Sequence, residues 1–223
     1  MSRDFEWPEL VFLVGALRWT ILLSIVAFVG GSIGGLILAV ARTSSYKVVR
    51  WIAQGYIGLI QGTPLLMQLF LAYYGLAVLT GLRLDPWPAV TLAFTLYAAA
   101  FLGEIWRGAI QAIPRQQWEA AAALPLAPAA QLRYVILPQA FRIAIPPTVG
   151  FLVQLIKGTS IASIIGFVEL TRAGQLIVNV TFQPMIVYPI IALLYFALCW
   201  PLSLLALRLE RRIDAALGIG QPA

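Results

Sequence analysis

Residues 21–41 read ILLSIVAFVGGSIGGLILAVA, an apolar run without a charge, interrupted only by serines and glycines. A helix of about 20 such residues crosses the roughly 30 Å hydrocarbon core of a bilayer, and the small residues let a neighbouring helix approach closely. This stretch is therefore expected to be a first membrane span. Upstream, Leu10 to Thr20 reads as a short amphipathic lead-in containing Arg18. Downstream, Arg42, Lys47 and Arg50 mark the return to water.

Four further segments follow. Trp51 to Leu82 is uncharged, with Gly62-Thr63-Pro64 in its interior, where proline frees a carbonyl and kinks the helix. Ala89 to Gly103 supplies a third span, Pro147 to Ile165 a fourth and Met185 to Leu207 a fifth. Phe167 to Pro184, with Glu169, Arg172, Asn179 and Gln183, reads as a solvent-facing connection. The expectation is an all-α membrane protein of about five transmembrane helices, with residues 1–223 forming one membrane domain.

Composition agrees. The 223 residues are 61% hydrophobic and 11% charged, with mean hydropathy +0.89, whereas soluble domains carry about 25% charged residues. The net charge of +6 resides in short clusters at the ends of apolar segments rather than along one face, which argues for membrane topology and against nucleic acid. One set of loops holds Arg42, Lys47, Arg50, Arg107, Arg115, Arg133, Arg142, Arg208, Arg211 and Arg212, and the other only Arg3, Arg18, Arg83 and Arg172. An asymmetry of about ten to four predicts the N-terminus outside and the C-terminus in the cytoplasm. The N-terminal MSRDFEWPEL lacks the basic flank and small-residue cleavage site of a secretory signal and is expected to stay attached.

Catalytic material is scarce. There is no histidine, the single Cys199 lies in an apolar segment, and no GxxxxGK[ST] phosphate loop occurs, so ATP would have to be bound by another chain. No internal repeat of the kind common in secondary transporters is visible.

The cytoplasmic segment 112–147, AIPRQQWEAAAALPLAPAAQLRYVILPQAFRIAIPP, is unlike a simple connector. Pro114 can open a helix, Gln116 to Leu124 is alanine-rich and strongly helix-forming, and Pro125 stops it. A second short helix from Pro128 to Ile136 is expected to end before Pro138. Alanine leaves a narrow rod suited to the groove of a soluble partner.

Glu119-Ala120-Ala121 followed by Ile136-Leu137-Pro138 resembles the EAA loop of ATP-binding cassette importer permeases, the coupling element of that family. The flanks Gln61-Gly62-Thr63-Pro64-Leu65-Leu66 with Gln68, Glu104-Ile105-Trp106-Arg107-Gly108-Ala109-Ile110, Leu137-Pro138-Gln139-Ala140 and Lys157-Gly158-Thr159-Ser160 are similar to the polar amino acid permeases. The resemblance implies a type I importer permease in the bacterial inner membrane, half of a two-copy pore. Its implied partners are an ATPase dimer, a second permease of the same or homologous sequence, a periplasmic amino-acid-binding protein and membrane lipid. No cofactor is expected on this chain, with ATP and Mg²⁺ held by the ATPase. Glu119, Ala120, Ala121, Ala122, Leu124 and Pro125 are the implied coupling residues in a loop spanning about 112–140. Gln61, Gly62, Thr63, Gln68, Lys157, Gly158, Thr159 and Ser160 are the implied substrate path.

Three positions depart from the family pattern. Glycine is usual six residues after the loop glutamate, where this chain has Pro125. Proline fixes φ near −65°, so the turn is expected in altered form. Arg commonly precedes the Gly-Thr-Pro and Asp commonly follows the lysine, where this chain has Gln61 and Gly158. Loss of both charges together implies a site for a different substrate, or the degenerate half of a heterodimer.

Competing readings stand beside these roles. Lys157, near the middle of the fourth segment, carries a charge that costs at least about 2.5–3.5 kcal/mol at the bilayer centre, so it should face a cavity, a partner or a structural hydrogen bond. Thr63, Gln68, Thr159 and Ser160 are its polar companions, or simply join helices. Glu119 meets either a basic residue of the ATPase or Arg115 one turn earlier, and Glu104 and Arg107 are spaced to pair. Arg133 and Arg142 face headgroups or a partner. An ion-coupled secondary transporter or channel, and more remotely an intramembrane enzyme, are the alternative functions.

Overall fold

The computed structural model describes residues 4–81 and 85–217. Arg3, Leu82 and Arg83 lie outside the described residues. Everything regular among the described residues is helical, and four helices are long and apolar enough to cross a membrane, or five counting one bent pair as a span.

Helix α1 (Trp7–Thr43) opens with the Glu6 N–H donating to Glu9 Oε2 at 3.1 Å and Pro8 in its first turn. At about 1.5 Å per residue it is roughly 55 Å long. The expected separate lead-in is absent: Leu10 to Thr20 continues straight into the span. Leu13, Ala16, Thr20, Leu23 and Ala27 form one buried stripe at helical spacing, and nothing between them breaks the helix.

Helix α1 packs on α5 (Pro86–Gln111) through glycine. A Cβ on Gly31 would lie 2.3 Å from Ala98 Cβ, and one on Gly103 would lie 2.9 Å from Leu38 Cβ. The opposite side of α1 leaves Ile25, Val29, Ile33 and Leu36 more than half exposed, the surface of a protein solvated by lipid. Asp85 starts α5 by accepting from the Trp87 N–H at 2.8 Å.

The second apolar segment is two helices with a sharp break at the expected Gly62-Thr63-Pro64. Helices α2 (Lys47–Gln61) and α3 (Leu65–Phe70), the latter extended by a π-helical turn Leu71–Gly75 and α4 (Leu76–Thr80), meet at a 101° bend. Pro64, extended at ψ 136°, cannot continue α2 and lacks the N–H that would cap it. The carbonyls this leaves are taken up locally. Thr63 Oγ1 donates to Leu59 O at 2.8 Å, and Gln68 Nε2 donates to Ile60 O at 2.7 Å and Thr63 O at 3.1 Å.

Helix α6 (Arg115–Ala122) is the expected loop helix. Beyond it, α7 (Pro128–Gln131), a π-helical turn Leu132–Ile136 and α8 (Leu137–Gly158) run on, continued by a 3-10 turn Thr159–Ile165. The expected stop before Pro138 therefore does not occur, and the fourth span begins near Pro128 rather than Pro147. The π turn is the reason: the Leu137 N–H reaches back to Leu132 O, and the shifted register removes the donor that Pro138 cannot supply.

The expected solvent-facing connection is instead helix α9 (Leu170–Thr181), packed with α1 and α10 (Pro184–Leu217). Leu170, Ala173 and Ile177 are buried against Leu13, Ala16, Val187 and Ile191. The main core joins Leu23, Leu69, Phe94, Leu102, Phe151 and Leu155 from α1, α3, α5 and α8.

Candidate functional site

Helices α5 and α8 run antiparallel with a fixed register. The Trp106 indole N–H donates to Thr148 Oγ1 at 3.0 Å, Phe101 stacks on Phe151 at 5.5 Å between centroids, and Gln154 Nε2 reaches the Tyr97 hydroxyl at 3.4 Å. One step further, a Cβ on Gly158 would lie 3.8 Å from both Phe94 and Leu65. Each pairing sums to nearly the same number, so Lys157–Gly158 is level with Phe94, about eight residues inside the start of α5.

That register settles where the lysine is. Lys157 stands in the last turn of α8, not mid-helix, yet it lies at membrane depth because the 3-10 turn carries the span onward. Its side chain is exposed and makes no hydrogen bond or ion pair among the described residues. The C-terminal end of α8 offers it a partly negative neighbourhood.

The Gly62-Thr63-Pro64 break reaches the same level, since Leu65 approaches Gly158. Two interrupted helices thus bring their ends together inside the membrane, an arrangement tolerated where irregular backbone lines a cavity or is buried in protein. Of the sequence-picked residues, Gln61, Gly62 and Lys157 are exposed here. Thr63 and Gln68 cap the broken helix. Thr159 is fully buried and donates to Ile156 O at 2.7 Å, and Ser160 donates to Lys157 O at 2.8 Å. These hydroxyls hold the transition from α8 into the 3-10 turn.

At the other end of α5, the chain passes through Ile113 and Pro114 into α6. Ala121 is buried at 1% exposure and seats the helix, while Glu119, Ala120, Ala122, Leu124 and Pro125 are exposed. Trp118 and Leu124 add 39% and 49% exposed apolar side chains. Glu119 accepts from Arg115 Nε at 3.0 Å, so the local pairing is formed. Proline replaces the usual glycine through an inverse γ-turn: the Leu126 N–H donates to Leu124 O at 2.7 Å around Pro125, whose fixed φ suits that turn. Gln131 Nε2 then closes on Leu126 O at 2.9 Å.

Glu104 and Arg107 pair as their spacing predicts, with Arg107 Nε at 2.9 Å from Glu104 Oε2 and a second bond from Arg107 Nη2 to Oε1. Arg42 approaches the same carboxylate at 4.0 Å and donates to Gln54 Oε1 at 2.8 Å. The base of α5 is thereby tied to α1 and α2. A shallow cleft of about 260 Å³, bordered by Glu104, Gly108, Ile143 and Pro147, opens beside it.

Sequence reading missed Glu169, taken for a loop acid. It is fully buried and caps α9, accepting the amides of Thr171 and Arg172. The usable signal was Leu170, Ala173, Ile177 at helical spacing directly after an acid. Tyr97 and Gln154, polar groups inside spans, were also passed over.

Interrupted spans meeting at depth and a projecting loop helix at the base of a continuous one are the arrangement of a membrane transport subunit. Residues 31–215 match the family described as binding-protein-dependent transport system inner membrane component. The chain belongs to that family, and is a multi-pass membrane protein. It is 41% identical over 209 residues to the L-cystine transport system permease protein TcyB of Bacillus subtilis, covering 93% of this chain and 88% of that one. It is 34% identical over 208 residues to the glutamine transport system permease protein GlnP of Escherichia coli K12, covering 93% and 95%. Among solved structures, an amino acid ABC transporter crystallised with histidines matches with TM-score 0.86 and 34% identity over 94% of this chain and 100% of that one. The MetNI methionine transporter, inward-facing, matches with TM-score 0.77 at 18% identity, over 94% and 99%, which speaks to the fold alone.

Proposed function

We propose that this chain carries polar amino acids across a bacterial cytoplasmic membrane as one of two permease subunits, driven by a separate ATPase dimer. The observation that carries the reading is α6: an exposed helix bearing Glu119, Ala120, Ala121 and Ala122, joined through Pro114 to α5, whose other half borders the mid-membrane helix breaks. A soluble partner gripping α6, Leu124 and Pro125 would move α5. The tie from Arg107 and Glu104 to Arg42 and Gln54 would carry α1 and α2 with it.

Gln61, Gly62, Thr63, Gln68, Lys157, Gly158, Thr159 and Ser160 mark the path, with Lys157 attracting the substrate carboxylate and the hydroxyls keeping the helix ends in place. The N-terminus faces outward and the α6 loop the cytoplasm, as the positive charges predict. ATP and Mg²⁺ belong to the ATPase, and an external binding protein delivers the substrate. Closure of the ATPase dimer favours the outward-open membrane state through its differential affinity for the two states. Amino acid specificity is inherited from the resemblance to the cystine and glutamine permeases.

The test is uptake into proteoliposomes holding this permease with its ATPase and binding protein. Uptake should require internal or external ATP on the α6 side and persist when ion gradients are collapsed. Uptake that follows a gradient without ATP, or occurs with the chain alone, refutes the reading.

A further inference from the structure

We infer that Tyr97 and Gln154 form a side-chain subsite for neutral hydrogen-bonding amino acids, one helical turn from the Lys157 that takes the carboxylate. The inference rests on the permease reading above and adds the substrate class.

Three observations lead to it. First, Gly150, Gln154 and Lys157 share the exposed face of α8, while Phe151, Val153, Leu155 and Ile156 are buried on the other. An amide and an ammonium side by side on a membrane-depth face would be expensive against lipid, so this face turns to the water-filled path between this chain and the second subunit of the permease reading. Second, the space is open: a Cβ on Gly150 would meet nothing within 4 Å. Third, Tyr97 directs its hydroxyl to Gln154 from α5, with its ring fixed by Phe101 at 4.5 Å and Phe151 at 6.1 Å.

The chemistry of the pair is specific. At 3.4 Å the amide–hydroxyl contact is long for a hydrogen bond, so both groups can exchange it for a ligand. Together they offer donors and acceptors without charge, matching a carboxamide or hydroxyl. Lys157 lies about 4.5 Å further along the helix axis, close to the length of a small amino acid. The carboxylate on the same side of α5, Glu104, is two turns from Tyr97 and already held by Arg107 and Arg42. A cationic side chain therefore finds no counter-charge at the pair.

The experiment measures equilibrium binding of L-glutamine and L-lysine to the purified permease–ATPase complex, without binding protein, for wild type, Tyr97→Phe, Gln154→Leu and Gln154→Glu. The readout is the ratio of the two affinities, which a purely structural role would leave alone. Wild type should prefer glutamine, Gln154→Leu should cut that preference about tenfold, and Gln154→Glu should reverse it toward lysine. Tyr97→Phe should cut it by a smaller factor. No glutamine binding by wild type, or a ratio unmoved in the Gln154 variants, overturns the subsite. ATP-dependent uptake by the wild-type complex is scored separately: its absence refutes the permease reading, and its presence with an unmoved ratio refutes only the subsite.

Discussion

The Glu169 carboxylate accepts the Tyr195 hydroxyl at 2.8 Å, joining the start of α9 to the middle of α10 with no exposure to solvent. The same oxygens take the amides of Thr171 and Arg172 at 2.9 and 2.8 Å, and the adjacent Leu170 N–H donates to Thr20 Oγ1 on α1 at 3.2 Å. Three helices therefore share one polar joint. Glu169→Leu would orphan the Thr171 and Arg172 amides, at about 1–3 kcal/mol each, and leave the Tyr195 hydroxyl only Thr171 Oγ1 at 3.2 Å. Tyr195→Phe removes the hydroxyl's bonds to Glu169 and Thr171 Oγ1 and leaves the amides capped. The midpoint of thermal unfolding in detergent should fall steeply for the first variant and slightly for the second; equal losses would mean the carboxylate is not the hub.

Burial pushes the Glu169 carboxyl above the ordinary glutamic acid value, against the lowering by its amide and hydroxyl donors. The folded protein then binds this proton more tightly than the unfolded chain. Its contribution is fully present below the ordinary value and is lost as pH rises through the raised one. Wild type should accordingly lose stability over the range just above the ordinary carboxylate value, and Glu169→Gln should lose less. Parallel pH profiles for the two proteins would contradict this assignment.

Close packing of α1 on α5 gives a purely steric prediction. A methyl on Gly31 would meet Ala98 Cβ at 2.3 Å and backbone atoms of Ala98 and Ala99 at 3.1 Å, so the helices must separate. Gly31→Ala should destabilise by about 1–3 kcal/mol, the usual range for overpacking. Gly55→Ala, where a Cβ meets nothing within 4 Å, should be neutral or stabilise by about 0.5–1 kcal/mol. Comparable unfolding midpoints for the two would mean that the glycine contact is not required.

Much of this was legible before any coordinates. Uncharged runs found the apolar cores of the spans, though not where the first and fourth begin, because lipid imposes length and polarity limits that sequence displays directly. Glu104–Arg107 and Glu119–Arg115 were legible because pairs three or four apart on a helix are local. What escaped was nonlocal or depended on compensation. Pro138 looked like a stop because the π turn that absorbs it has no residue signature. Glu169 looked solvated because its partner Tyr195 lies 26 residues on, in another helix. Lys157 was placed mid-span by counting, whereas its depth follows from the α5 register and the added 3-10 turn.

Exposure of the Glu119–Arg115 pair makes the loop helix testable apart from folding. The side chains are 64% and 90% exposed, and such pairs contribute about 0–1 kcal/mol. Glu119→Gln and Leu124→Ala should therefore leave the unfolding midpoint within a degree or two of wild type. If α6 is the lever, both should reduce ATP-driven uptake severalfold while ATPase subunits bind less tightly. Uptake unchanged by both variants would remove α6 from the coupling path.

The paired departures at Gln61 and Gly158 allow the helix breaks to be tested directly. A side chain at 158 is sterically allowed, since its Cβ would make only ordinary contacts with Leu65 and Phe94 at 3.8 Å, and Leu65 begins the helix just across the break from Gln61. Gly158→Asp alone places an acid at membrane depth beside Lys157, which offsets part of the roughly 2.5–3.5 kcal/mol that such a charge costs. Gln61→Arg alone adds an unpaired cation at the helix break and should destabilise. Should the two positions face one another, the double variant will recover more than the sum of the single effects, by about 1–3 kcal/mol of coupling. The cycle is read from unfolding midpoints and from L-glutamine and L-lysine affinity. Additive effects on both would mean that the two departures arose independently and that the broken helices do not share one site.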